Sequence, residues 1–109
     1  MNKLLHEFTV KVRADKGADL PAGSRGAFVP CYAFAPDHQA AVKAAVKALS
    51  SQHLVFEAMD GGVRELPLAR WAGYLSQVWP EFVDEFPSEA RMAELQATGG
   101  VFFGPMTTF

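Results

Sequence analysis

Apolar and polar residues alternate along Glu7-Phe8-Thr9-Val10-Lys11-Val12-Arg13, with Phe8, Val10 and Val12 at one parity and Glu7, Thr9, Lys11 and Arg13 at the other. A period of two predicts a strand buried on one side. The stretch that follows, Asp15 to Gly26, is dense in Gly, Pro, Asp and Ser, residues that preset or tolerate turn conformations, and it reads as a long surface loop. Ala27 to Ala35 is apolar at both parities, the pattern of a strand covered on both faces. Pro30 within it lacks an N–H and belongs at a bulge or on an unpaired side.

The period then changes. Asp37 is the expected N-cap of a helix, in which Val42, Ala45, Val46 and Leu49 recur at i, i+3, i+4 and i+7 and define one buried face. Alanines at positions 40, 41, 44, 45 and 48 permit close approach to a sheet. His53 to Met59 predicts a further strand, Asp60-Gly61-Gly62 a hairpin turn that needs positive φ, and Val63 to Leu66 the return strand. Pro67 suits the first turn of a second helix with the stripe Leu68, Trp71, Ala72, Leu75, Val78 and Trp79, which Pro80 ends. Glu81 to Pro87 is an acidic and aromatic connector, and Ser88 caps a third helix that stops near Gly99-Gly100. Val101 to Phe103 predicts a last strand, and Gly104 to Phe109 a tail with an apolar end.

The order β-β-α-β-β-α-α-β predicts an α+β fold. Its expected form is a two-layer sandwich, an antiparallel or mixed sheet with two to three helices on one face, ferredoxin-like in the loose sense. The β-β-α unit occurs twice, but the halves share no evident identity, so the repetition is one of topology alone. At 109 residues the chain is expected to form a single domain, 1–109. Surface scaling buries roughly 65% of the extended chain's surface at this size, a core that needs no metal or disulfide staple.

Composition removes several classes of function. Ten Lys and Arg against twelve Asp and Glu give a net charge of −2 and a pI near 5.9, without the basic excess that a phosphate backbone attracts. Lys11, Arg13 and Arg25 are too few to make a stripe for single-stranded nucleic acid, so nucleic acid is not an expected partner. One cysteine excludes an intrachain disulfide framework and a Cys-only zinc site. No stretch approaches the about eighteen apolar residues of a membrane span. His6, Glu7 and Lys11 interrupt the start of the chain where a signal peptide needs an apolar run. A cytoplasmic, reducing location without membrane association is the expectation.

Candidate chemistry is sparse. Cys31 lies in the apolar strand, where burial keeps a thiol protonated, and is expected to be structural. His6, His38 and His53 are far apart and show no metal-ligand spacing; no metal and no cofactor are expected, and His38 and His53 are read as solvent-facing. Gly23, Ser24, Arg25 and Gly26 form the most site-like loop, with amides and side-chain donors an anion could use. That loop lacks the phosphate-binding glycine motifs and precedes a strand, so a plain mobile loop is the preferred reading.

Charge is uneven. Residues 1–55 hold seven Lys and Arg against four Asp and Glu, and residues 56–109 hold three against eight. Glu81, Asp84, Glu85 and Glu89 interleave there with Phe82, Val83 and Phe86. The sequence assigns no pocket or separation to any carboxylate pair, so no catalytic residue is expected. Two uses of the segment stand side by side: Phe82, Val83 and Phe86 dock on the core while the acids face water, or the segment binds a partner, with carboxylates steering and aromatics anchoring. Trp71, Leu75, Val78 and Trp79 account for the stripe of the second helix and leave Tyr74 at its boundary.

The functional expectation is a small non-catalytic interaction domain of regulatory, accessory or immunity type. It would bind a protein partner, a basic one on charge grounds, through Glu81, Phe82, Asp84, Glu85, Phe86 and Glu89. The alternative is a ligand-binding or enzymatic α+β domain with an aromatic-lined pocket. Thirteen aromatic residues and the apolar tail exceed the needs of so small a core, which predicts a homodimer or higher homo-oligomer.

Overall fold

Two long strands, β1 (Leu4–Ala14) and β2 (Gly26–Ala35), form the centre of an antiparallel sheet in a computed structural model that describes residues 3–109. Their register runs without a break from Leu4 opposite Ala35 to Arg13 opposite Gly26. Each centre strand carries a divided edge. Along β1 lie β3 (Leu54–Met59), opposite Val10–Ala14, and β4 (Arg64–Glu65), opposite His6 and Glu7. Along β2 lie β5 (Val101–Phe103), opposite Cys31–Ala33, and β6 (Thr107–Thr108), opposite Ala27 and Phe28. The result is a six-stranded antiparallel sheet among the described residues, with the α+β class and loose ferredoxin-like character expected of the sequence.

Helix α1 (His38–Ser50) leaves the end of β2 and delivers the chain to β3 on the far side of β1. Asp37 caps it, its Oδ1 accepting from the Ala40 N–H at 2.8 Å. A 3-10 turn (Leu68–Arg70) leads into α2 (Trp71–Val78), a second 3-10 turn spans Val83–Glu85, and α3 (Glu89–Thr98) follows its Ser88 cap. Gly99 ends α3 with φ near 79°, a left-handed conformation that favours glycine and turns the Gly100 amide back to the Leu95 carbonyl at 3.0 Å.

The helices divide between the two faces of the sheet instead of sharing one. Phe8, Val10 and Val12 of β1 and Val29, Cys31, Ala33 and Ala35 of β2 share one face of the sheet and pack with Ala41, Ala45 and Leu49 of α1. Leu5, Tyr32 and Phe34 take the other face and pack with Trp71, Leu75, Phe86 and Met92. The cause is the apolar filling of β2 at both parities: small residues meet the alanine-rich α1, and the large rings of Tyr32 and Phe34 need a second cover.

The Asp60-Gly61-Gly62 hairpin does not form. β3 and β4 both pair antiparallel with β1, so the chain keeps its direction and residues 60–63 make an outward detour in one edge. The Asp60 N–H still donates to the Thr9 carbonyl at 2.9 Å, holding the detour against the sheet. Val63 to Leu66 is therefore a continuation of the edge, not a return strand. The C-terminal tail differs as well: Thr107 and Thr108 pair with β2, and the Phe109 ring leans on Phe28 at 5.5 Å between centroids.

Candidate functional site

Sheet register brings Arg64, Glu7, Tyr32 and Phe102 into one row across β4, β1, β2 and β5, on the face that carries α2. Arg64 Nε donates to Glu7 Oε2 at 2.8 Å, and the Tyr32 ring stacks on Phe102 at 5.1 Å. Trp71 of α2 crosses above, edge-on to Tyr32 and Phe102 and stacked on Tyr74 at 5.7 Å. Phe86 closes the cluster from the chain beyond α2. These rings are spent chiefly on one another, which is why so many aromatics fit in so small a protein.

Within the apolar cluster runs one polar chain. Trp79 Nε1 donates to the Tyr32 hydroxyl at 2.8 Å, and the hydroxyls of Tyr32 and Tyr74 lie 2.7 Å apart. Tyr32 is fully buried, so a proton it did not share with Tyr74 would sit in the core without an acceptor. The economical order is Trp79 to Tyr32 to Tyr74, which leaves the proton of the half-buried Tyr74 free to donate outward. Burial pushes both phenols above their ordinary titration range; Tyr32 is raised further by its hydrogen bond to Tyr74, and the negative charge of Glu7 adds to both. Both remain hydroxyls at neutral pH.

Beside this row opens a cleft of about 810 Å³ between the Arg64–Pro67 segment and the outer side of α2, with Arg64, Arg70, Tyr74 and Gln77 among its walls. Nothing in the sequence spacing announced it. Arg64 and Glu7 are 57 positions apart, and only the detour at 60–63, which keeps β4 on β1, sets them side by side.

The acidic segment takes a different form. Phe86 is buried against Tyr32, Trp71 and Trp79, and Phe82 is half-buried against Trp79 at 6.0 Å. Glu81, Asp84, Glu85 and Glu89 are all exposed. Backbone bonds from Phe82 N–H to the Trp79 carbonyl, Glu85 N–H to Phe82 and Phe86 N–H to Val83 fix the turn that carries Glu81, Asp84 and Glu85, and Glu89 opens α3. Between the acids stands Val83, 40% exposed, and just before them Val78, 46% exposed.

In the Gly23–Gly26 loop, the amides of Arg25 and Gly26 donate to the Phe109 carbonyl and that of Ser24 to Pro21, so these three are engaged within the chain. Gly26 is buried as the first residue of β2, where an added Cβ would run into the Val12 carbonyl oxygen.

His38 and His53 are exposed, but His6 is fully buried, its Nε2 3.0 Å from the Ala35 carbonyl and its ring edge-on to His38 at 5.1 Å. Its position two residues before Phe8, at the parity of Phe8, Val10 and Val12, was the available signal. No group of three or more His, Cys, Asp or Glu side chains gathers as for a metal ion among the described residues.

Cys31 is buried, and desolvation pushes its thiol from an ordinary value of 9.0 up to about 12. The unfolded chain therefore loses this proton near pH 9 while the folded chain holds it. That contribution to stability is full below pH 9 and is lost as pH rises from 9 toward 12. Modification of native protein by a thiol reagent at pH 8 is expected to be slow and limited by opening, and fast once denaturant unfolds the chain. Rapid stoichiometric labelling of the folded protein would contradict the burial.

Comparison with known protein families, curated proteins and solved structures finds no match to this chain.

Proposed function

We propose that this protein is a small interaction domain of regulatory, accessory or immunity type that binds a basic protein partner through the Glu81–Glu89 surface. The observation that supports the reading most is that Glu81, Asp84 and Glu85 are exposed beside exposed Val83 on a turn held by buried Phe86 and by its own backbone bonds, with exposed Val78 at the end of α2 before it and exposed Glu89 at the start of α3 after it. Carboxylates on a rim raise the rate of encounter with a cationic surface, and a small desolvated apolar centre slows departure. A turn already ordered before binding loses little conformational freedom in the complex. Phe86 serves this surface as a support from beneath; Phe82 lies half under it.

The test compares what wild type and an Asp84→Asn, Glu85→Gln double variant retain from lysate, with quantification by mass spectrometry. Both substitutions are exposed, so melting should stay within about 0.5 kcal/mol of wild type. Specific basic proteins held by wild type at low salt should fall off the double variant and, for wild type, off at high salt. Equal retention by both chains at low salt would overturn the proposal. A Lys43→Gln, Lys47→Gln variant on exposed positions of α1 serves as the control that should change nothing.

Self-association belongs to the same proposal. β3 ends the sheet order with its outer edge unpaired among the described residues and Met59 exposed, a template for a second copy. Light scattering is expected to give about twice the chain mass of 11.9 kDa, and a single-chain mass at every concentration would remove this part. No helix of the described residues is long and apolar enough to cross a membrane. A reducing cytoplasmic setting is proposed on the single buried thiol.

A further inference from the structure

The cleft beside α2 has a wall chemistry that none of the preceding reading uses. Arg64 spends its Nε on Glu7, which holds the side chain in place and leaves the remaining guanidinium N–H groups without a carboxylate. Arg70, the residue before α2, makes no ion pair among the described residues and lines the same cleft. Tyr74 contributes the third donor: its hydroxyl lies 2.7 Å from that of Tyr32, and in the order Trp79 to Tyr32 to Tyr74 argued above its own proton is left to donate outward. Ser76 and Gln77 add neutral polar groups, and Glu65 is the one acid in the lining.

The lining thus brings three donors to one cleft, two guanidinium groups and a phenol; Glu7 balances Arg64, and Arg70 is the cation without an ion pair among the described residues. Guanidinium groups and a phenol hydroxyl match an acceptor of several lone pairs, and their charge-assisted bonds are the stronger kind. The volume, about 810 Å³, is that of a small-molecule site. The geometry points to this cleft as a binding site for a small organic anion, whose carboxylate or phosphate oxygens are received by Arg64, Arg70 and Tyr74. Glu7 acts there as a positioning residue: its carboxylate holds the Arg64 fork at the wall. The bound oxyanion is the acceptor that completes the Trp79–Tyr32–Tyr74 chain.

The lining of this site includes none of Glu81, Asp84, Glu85 and Glu89, and its test is independent of any protein partner. Succinate and inorganic phosphate are titrated separately into the full chain at low ionic strength and followed by calorimetry. At least one is expected to saturate at one per chain. Saturation by succinate alone assigns the site to carboxylates and by phosphate alone to phosphates. Arg70→Gln, an exposed substitution that breaks no ion pair, should weaken binding about 10-fold or more, as loss of a hydrogen bond between charged groups does. Arg64→Lys keeps the charge but loses the planar fork, and should weaken it by a smaller factor. Lys43→Gln on α1 should bind as wild type. Each variant's melting temperature is measured alongside, so that lost binding is not confused with lost folding. If neither probe saturates, or if Arg70→Gln binds as tightly as wild type, the cleft is not an anion site.

Discussion

Truncating Trp71 to alanine is expected to destabilise the protein by about 3–5 kcal/mol, the range for removing a buried tryptophan from a packed core. The indole is fully enclosed and touches Tyr32, Tyr74, Phe86 and Phe102, with ring centroids between 5.6 and 5.8 Å away. Those four rings come from the sheet, from α2 itself and from the acidic connector, so none of them can close the void without dragging its own element. Trp71 is also the first residue of α2, and its loss releases the helix from the sheet. Urea denaturation followed by far-UV circular dichroism measures the change. A cost below about 1 kcal/mol would mean that the second cover is not part of the cooperative core. Val83→Ala, on the exposed turn, is the contrasting case and should cost under about 0.5 kcal/mol.

Tyr32→Phe is expected to cost about 1–3 kcal/mol although it removes a single oxygen. That oxygen accepts from the Trp79 indole N–H and shares a proton with Tyr74. Without it the indole donor is left without its acceptor in a partly buried place, and the penalty is that of an unsatisfied group more than that of one lost bond. Tyr74→Phe should cost less than Tyr32→Phe, because Tyr74 is half-exposed and water can reach what it leaves behind. Chemical denaturation of the two variants gives the order. Equal costs, or a Tyr32→Phe variant as stable as wild type, would contradict the direction assigned to the chain.

Much of the fold was legible from periodicity. The alternation at Phe8, Val10 and Val12, the Asp37 and Ser88 caps and the Gly99 stop all stand where the sequence places them. The division of helices between two faces was also written there, in a β2 strand apolar at both parities. A sheet with all its helices on one face leaves Tyr32 and Phe34 uncovered, so the two expectations were in conflict and the strand pattern was the stronger. The buried stripe of α1 runs through Ala41, Ala45 and Leu49, with Val42 and Val46 half-buried, because small residues let the helix descend onto Cys31 and Ala33.

Other features were not readable. Asp60-Gly61-Gly62 has the composition of a hairpin turn, and the same glycines serve an outward detour. The choice between them depends on whether residues 64 and 65 find β3 or β1, a long-range pairing outcome that local turn chemistry does not determine. The Arg64–Glu7 pair and the cleft follow from that pairing and were hidden with it. Of the three residues that the docked reading of the connector places on the core, Phe86 is buried, Phe82 half-buried and Val83 exposed, while the acids face water as that reading has them.

The Glu81–Glu89 surface is proposed as the place where a partner lands. Hydrogen exchange, measured on the chain alone and in complex with a protein retained by wild type and lost by the Asp84→Asn, Glu85→Gln variant, tests it most directly. Protection gained on binding should concentrate in the amides of residues 78–89, with α1 unchanged. Protection gained over α1, or over the Arg64–Gln77 cleft, with the 78–89 amides exchanging as they do in the free chain, would contradict it.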